Sequence, residues 1–298
     1  MPSEILDKRP NNFPFPILPS QDDRCTERGY FFMRRHFTIF DFFFFNLHLS
    51  TTIDKQRATA IRALAYAGDQ ESLRRVEELE RNPKPHFSKL QKFSSFQSEN
   101  MCIRAVDNFT CFLSETIQSC MMKRPNMLSS GEMIKIEDVV KFKNRKDLLS
   151  FLVDRKINEL TYGGIKELEN FLNERTGFSL TTTNEERAIL TISIELRNIY
   201  THNRGIVNDI FIKRIKGIKH DFVFTKGQRF HADFDIITTF ANCLLSIGKR
   251  LDGMAASKFK IRTRTYGTWH KGFEKSDSFS QKNDHSTATL SDQAGEIG

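Results

Sequence analysis

The 298-residue chain is long enough to bury one well-formed core with extensions, or two small domains, without covalent staples. Its five cysteines, Cys25, Cys102, Cys111, Cys120 and Cys243, form no CxxC pair and no even framework. That argues against a zinc site and a secreted disulfide scaffold, and a reducing, cytoplasmic setting is expected. The formal net charge is +8, and residues 204–231 concentrate it: seven Lys and Arg stand against Asp209 and Asp221. Such a segment either draws a polyanion such as nucleic acid or forms a merely solvated basic surface.

Residues 1–53 differ in composition from the rest. A Pro-rich start (Pro10, Pro14, Pro16, Pro19) gives way to eight Phe between positions 31 and 45. The segment reads as an appendage of uncertain order: a strand that covers a core or binds a partner, or an incorrectly assigned start of the reading frame. An exposed aromatic run is an aggregation hazard, so if folded it has to be covered. The stretch FTIFDFFFFNLHL (37–49) is shorter than the ~20 apolar residues of a spanning helix and is broken by Asp41, Asn46 and His48, so no membrane span is expected. Begun at Met33, the chain would imitate a signal peptide, against which Asp41 argues.

Residues 54–81 read as helical, with an interruption at Gly68, six acids balancing six bases and a stop at NPKP. With its linker this segment forms an expected helical arm over 54–98. A helical domain over 99–252 follows. Met101, Ile103, Ala105, Val106, Phe109, Phe112, Leu113 and Ile117 give its first helix an apolar face, ended by Pro125. A loop with a short extended piece, IKIEDVV, leads to helices over 146–160 and, past TYGG, over 165–176. Cys102, Cys111 and Cys120 are nine apart, so successive ones point to opposite sides of a helix and read as core filler. The aromatic flanks of Lys226-Gly227 in HDFVFTKGQRFHA predict a hairpin, and a helix over 234–251 closes the domain. Residues 253–298 are rich in Ser, Thr, Lys and Asp, the composition of a disordered tail. Within it, SKFKIRTRTYGTWHKGF (257–273) interleaves bases with Phe259, Tyr266, Trp269 and Phe273; it is either a flexible basic end or a stacking surface for single-stranded RNA. No internal repeat, sustained heptad, phosphate-binding glycine loop or metal-type His spacing is visible, and no cofactor is expected.

The helix before the hairpin carries the chemistry. Thr183 with Glu186 makes a capping box and Gly205 a left-handed stop, so the helix should span about 184–204. At 100° per residue Ile189, Ile192, Leu196 and Ile199 form one stripe toward the core, while Leu190 and Ile194 project from nearly the reverse side. Apolar residues on both sides imply a second cover, either another helix of the same chain or a second copy of it; a symmetric dimer paired through Leu190 and Ile194 is the favoured expectation. Near its end the helix gathers Glu195, Arg197, Asn198 and His202. Arg197 and His202 lie about 140° apart on an ideal helix, so their tips meet only if the helix end loosens or a dimer cleft receives both pairs.

The run Arg197-Asn198-Ile199-Tyr200-Thr201-His202, followed by NRGIVN, resembles the HEPN superfamily. The hallmark of that family is an Arg, a polar residue directly after it and a His four to six residues beyond. The same spacing occurs at Arg81/His86, Arg214/His220 and Arg264/His270. The copy at 81 is crossed by Pro83 and Pro85, whereas the copy at 197 has a cap, a core stripe and a stop. The resemblance covers roughly residues 99–251. It implies a mainly α, HEPN-like helical bundle, here with a small β-hairpin insertion and the N-terminal helical arm.

For function, the resemblance implies metal-independent RNA cleavage, in which the ribose 2'-OH attacks the adjacent phosphodiester and leaves a 2',3'-cyclic phosphate. His202 would be general base or acid, Arg197 would hold the phosphate and its developing charge, and Asn198 would orient His202 or a phosphate oxygen. Glu195 would tether a cation, and Arg204, Lys213, Arg214 and Lys216 would contact RNA. The family also includes non-catalytic modules that dimerise, bind RNA or nucleotides, or scaffold a partner. A toxin or defence effector with an antitoxin or sensor partner is the expected setting of the nuclease.

Overall fold

The computed structural model of the protein describes residues 19–20, 22–128, 136–163 and 165–266. The fold is mainly α with one two-stranded antiparallel sheet, β1 (Arg24–Thr26) against β2 (Thr263–Thr265), which joins the two ends of the described chain.

Helix α1 (Glu27–Tyr66) is 40 residues long, about 60 Å at the usual rise. It starts where the Thr26 side chain accepts from Gly29 N–H. Phe32, Met33, His36, Phe37 and Phe40 follow one another at helical spacing and are all buried. The phenylalanine-rich segment is therefore part of the core rather than an appendage, and the expected boundary at 53/54 falls inside an unbroken helix. The Pro-rich start over 1–18 lies outside the described residues. Gly68, at φ +89°, does turn the chain, and α2 (Gln70–Arg81), capped by Asp69, packs back on α1. Buried Asp54 of α1 then receives N–H bonds from His86 and Phe87 at 3.1 and 2.9 Å, which fixes α3 (Pro85–Lys92).

The central helix, α4 (Ser94–Lys123), buries the apolar face expected of it and ends before Pro125, where a 3-10 turn (Pro125–Leu128) begins. Cys102 and Cys120 lie in the core with thiols pushed up to about 12 by burial, while Cys111, half a helical turn away, is exposed rather than core filler. Residues 136–140, expected to be extended, form a short helix α5 (Ile136–Val140). Then follow α6 (Arg145–Gly163), α7 (Ile165–Thr176), α8 (Asn184–His202), α9 (Asp209–Ile215) and α10 (Phe234–Phe259).

The hairpin expected around Lys226-Gly227 does not form. Its backbone bonds go instead to the loop after α8: Val207 N–H to Gln228 O at 3.0 Å, Gly227 N–H to Val207 O at 2.8 Å, and Phe230 N–H to Gly205 O at 3.0 Å. Phe222 and Phe224 set their rings against Phe240 and Phe211. The disordered tail expected from 253 is also corrected in part, because α10 runs on to Phe259 and β2 follows. Phe259 and Tyr266 are buried, so neither ring is a stacking surface, and Trp269 and Phe273 lie outside the described residues. One hydrophobic core joins α1, α4 and α6–α10. No helix among the described residues is long and apolar enough to cross a membrane.

Candidate functional site at the end of α8

Thr183 caps α8 by accepting from Glu186 N–H at 3.1 Å, and Glu186 reaches back to Thr182 N–H at 2.8 Å, a capping box shifted by one residue in its return bond. Ile192, Leu196 and Ile199 are buried as the stripe predicts, with Ile189 at its margin. Leu190 is also buried, at 4% exposure, and Ile194 packs on the same core. The second cover of α8 is thus supplied by the chain itself. The apolar argument for a homodimer through Leu190 and Ile194 falls with it.

At the other end of α8, Ile199 O accepts from both Asn203 and Gly205 N–H, and Arg204 and Gly205 both turn left-handed at φ 52° and 78°. Asn208 caps α9 through a bond from Phe211 N–H at 2.9 Å. The segment NRGIVN is therefore a tight connection that sets α9 beside α8, with Phe211 and Ile215 buried to hold it.

This arrangement lines up a polar chain across three helices. Arg197 donates from Nε to Asp107 Oδ1 of α4 at 2.8 Å, and its Nη2 lies at 2.8 Å from the same oxygen. Its Nη1 donates to Asn198 Oδ1 at 3.3 Å, and Asn198 Nδ2 lies 3.5 Å from Glu195 Oε2. Buried Glu195 accepts from Arg214 Nη1 of α9 at 3.1 and 3.2 Å. Each buried or half-buried charge is thereby matched, as its desolvation requires.

His202 takes no part. It is exposed at the last turn and makes no hydrogen bond among the described residues. Within one chain the fold thus brings together Arg197, Asn198, Glu195 and Arg214, and leaves His202 beside them in solvent. Arg204, Lys213 and Lys216 are exposed without an ion pair among the described residues, whereas Lys226 pairs with Asp209 at 2.7 Å and Arg229 with Glu99 at 2.7 Å.

Sequence reasoning missed Asp107. Its signal was a carboxylate on the flank of an otherwise apolar helical pattern, but its partner is 90 positions away. It also missed a second polar cluster, in which Ser95 Oγ lies 2.8 Å from His231 Nδ1 and 3.3 Å from Glu99. There the carboxylate meets the hydroxyl and not the imidazole, so the order of a nucleophile, base and orienting acid is absent. Among the described residues no group of three or more His, Cys, Asp or Glu is arranged to hold a metal ion.

No protein-family model, curated protein or solved structure matches this chain.

Proposed function

We propose that the chain is a metal-independent endoribonuclease of HEPN type, in which His202 moves the proton and Arg197 holds the scissile phosphate. The observation that supports this reading is the end of α8 itself. An imidazole with no hydrogen bond among the described residues stands in solvent there, on the same helix end as a guanidinium held by a carboxylate and a carboxamide, with Arg204 exposed just after it and Lys213 and Lys216 exposed on α9 and at its end. An imidazole serves as general base or acid near neutral pH, and a guanidinium fork stabilises charge on phosphate oxygens. Asn198 positions Arg197 in this reading, because its carbonyl oxygen accepts from Nη1, and Glu195 holds Arg214. RNA supplies its own nucleophile, the 2'-OH, so DNA resists cleavage.

Arg197 and His202 point about 140° apart on one helix, so the reaction needs two copies with their α8 ends facing. Their contact is polar, since Leu190 is covered within the chain. Such a nuclease suits a toxin or defence effector restrained by an antitoxin or sensor protein. A second reading, a non-catalytic module that binds RNA or nucleotides or scaffolds a partner, is favoured by one observation: Asp107 occupies two of the donors of Arg197.

The test is incubation of purified protein with RNA in EDTA, beside His202→Ala and Arg197→Ala, with analysis of the product ends. Cleavage by the parent alone, leaving 2',3'-cyclic phosphates, is expected. RNA binding without cleavage, unchanged in both variants, would establish the module instead.

A further inference from the structure

We infer that the groove between α1 and α4 binds single-stranded RNA and leads it toward Arg197. The inference rests on the nucleic-acid reading above but names a surface outside the end of α8, lined by none of the residues proposed for catalysis. The two helices run antiparallel, with Asn108 Nδ2 donating to Phe32 O at 3.0 Å and the rings of Phe32 and Phe112 stacked at 4.5 Å beneath the groove. Two cavities of about 360 and 470 Å³ open along this seam and share Arg35 and Thr38 in their linings, so they lie next to one another in the groove.

Its charge is one-sided. Among the described residues Arg28, Arg34 and Arg35 line it from α1 and Arg104 from α4, against the single carboxylate of Glu115, which stands 3.8 Å from Arg28. Among the described residues neither Arg35 nor Arg104 has a carboxylate partner, and both are exposed. Such a surface attracts a polyanion, and it opposes a second copy of the chain, which would bring the same cations to face it.

The groove also offers flat aromatic faces. Phe31, Phe42 and Phe96 are 48%, 70% and 65% exposed along it, far above what core-forming phenylalanines show. Unpaired bases stack on such rings while arginines meet the backbone phosphates, whereas a duplex hides its base faces. Cations interleaved with open rings therefore select a single strand.

The groove borders the candidate site. Asp107, the acceptor of Arg197, follows Arg104 by three residues and lies about 60° around α4 from it. A strand leaving the groove over Arg104 crosses the exposed ridge of α4 and meets Arg197 on its far side. Exposed Cys111 lines the groove as well, which supplies a reporter.

The test uses the full chain in a His202→Ala background, with a fluorescent 12-nucleotide oligouridylate in EDTA and anisotropy over a salt series. Phe42→Ala with Phe96→Ala should weaken binding about tenfold. Arg35→Glu with Arg104→Glu should weaken it further and flatten the salt dependence by about 0.7 for each phosphate that is no longer neutralised. The oligonucleotide should slow alkylation of Cys111 in the parent and not in these variants, and a 12-base-pair RNA duplex should bind more weakly. All four substitutions are at exposed positions, and thermal unfolding checks that the fold is kept. Groove variants that bind like the parent, duplex binding as strong as single-strand binding, or no binding at all with Cys111 unprotected would overturn the inference, the last leaving a protein partner for the exposed rings. If the wild type cleaves RNA while groove variants bind normally, the groove fails and the nuclease stands. If groove variants lose binding but no form cleaves, the groove stands and the nuclease fails.

Discussion

Gly248 of α10 lies against the ring of Phe32 so closely that an added Cβ would stand 2.3 Å from Cε1. Gly248→Ala must push Phe32 off Phe112, and overpacking of this kind costs about 1–3 kcal/mol. A fall in the urea midpoint with an unchanged slope is expected; an unchanged midpoint would mean that the ring gives way freely. His36 is a second case. It is wholly buried among Phe32, Phe37 and Phe40, with no partner for either ring nitrogen among the described residues, and burial pushes its imidazole down to about 3. The unfolded chain takes up a proton below about 6.5 while the folded chain does not, so this contribution is present above that pH and is lost as pH falls toward 3. His36→Leu should therefore lose less of its Tm between pH 7 and pH 5 than the wild type, and equal losses would contradict a neutral buried imidazole. A histidine on an apolar face was readable in the sequence, but its lack of a partner was not, because that depends on three rings closing around it.

At the scale of the element, α8 was the most legible part of the chain. Its cap, core stripe and left-handed stop are local, and each was readable from residues within a turn of one another. What holds its first turn was not. Arg250 of α10 donates to Glu186 at 2.8 and 2.9 Å and to Leu180 O at 2.8 Å, and this pairing holds the Glu186 carboxyl down at about 2. Its contribution is therefore present above the ordinary carboxylate range and lost as pH falls from about 4.5 toward 2. Glu186→Gln keeps the shape, weakens the charge-assisted bonds and should cost about 1–3 kcal/mol, read by denaturant unfolding at pH 7. The same loss persisting at pH 2 would point to altered packing rather than charge. The failed hairpin shows the reverse. Alternating aromatics around Lys226-Gly227 satisfy a strand pattern, yet Phe222 and Phe224 dock on α10 and α9, and the backbone pairs with the α8–α9 connection.

Across the whole molecule the largest revision concerns the phenylalanine-rich segment. Its composition shift suggested an appendage, although Phe32, Met33, Phe37 and Phe40 recur at helical spacing and contribute about 1.5–3 kcal/mol each on burial. Removal of residues 1–53 should strip the cover from Phe109 and Phe112 and abolish cooperative unfolding, with the remainder aggregating. A soluble 54–298 chain with a sharp thermal transition would restore the appendage reading. By itself the sequence determined the mainly helical class, the extent of α6, α7 and α8 to within a few residues, and the gathering of Glu195, Arg197, Asn198 and His202 on one helix end, because periodicity, caps and stops act within a few residues. Only the tertiary structure decided that α1 belongs to the core, that Leu190 is covered by its own chain, and that Asp107 takes hold of Arg197 while His202 stays in solvent. Those outcomes depend on which faces meet across tens of residues, and burial and charge pairing act between surfaces that local pattern does not bring together.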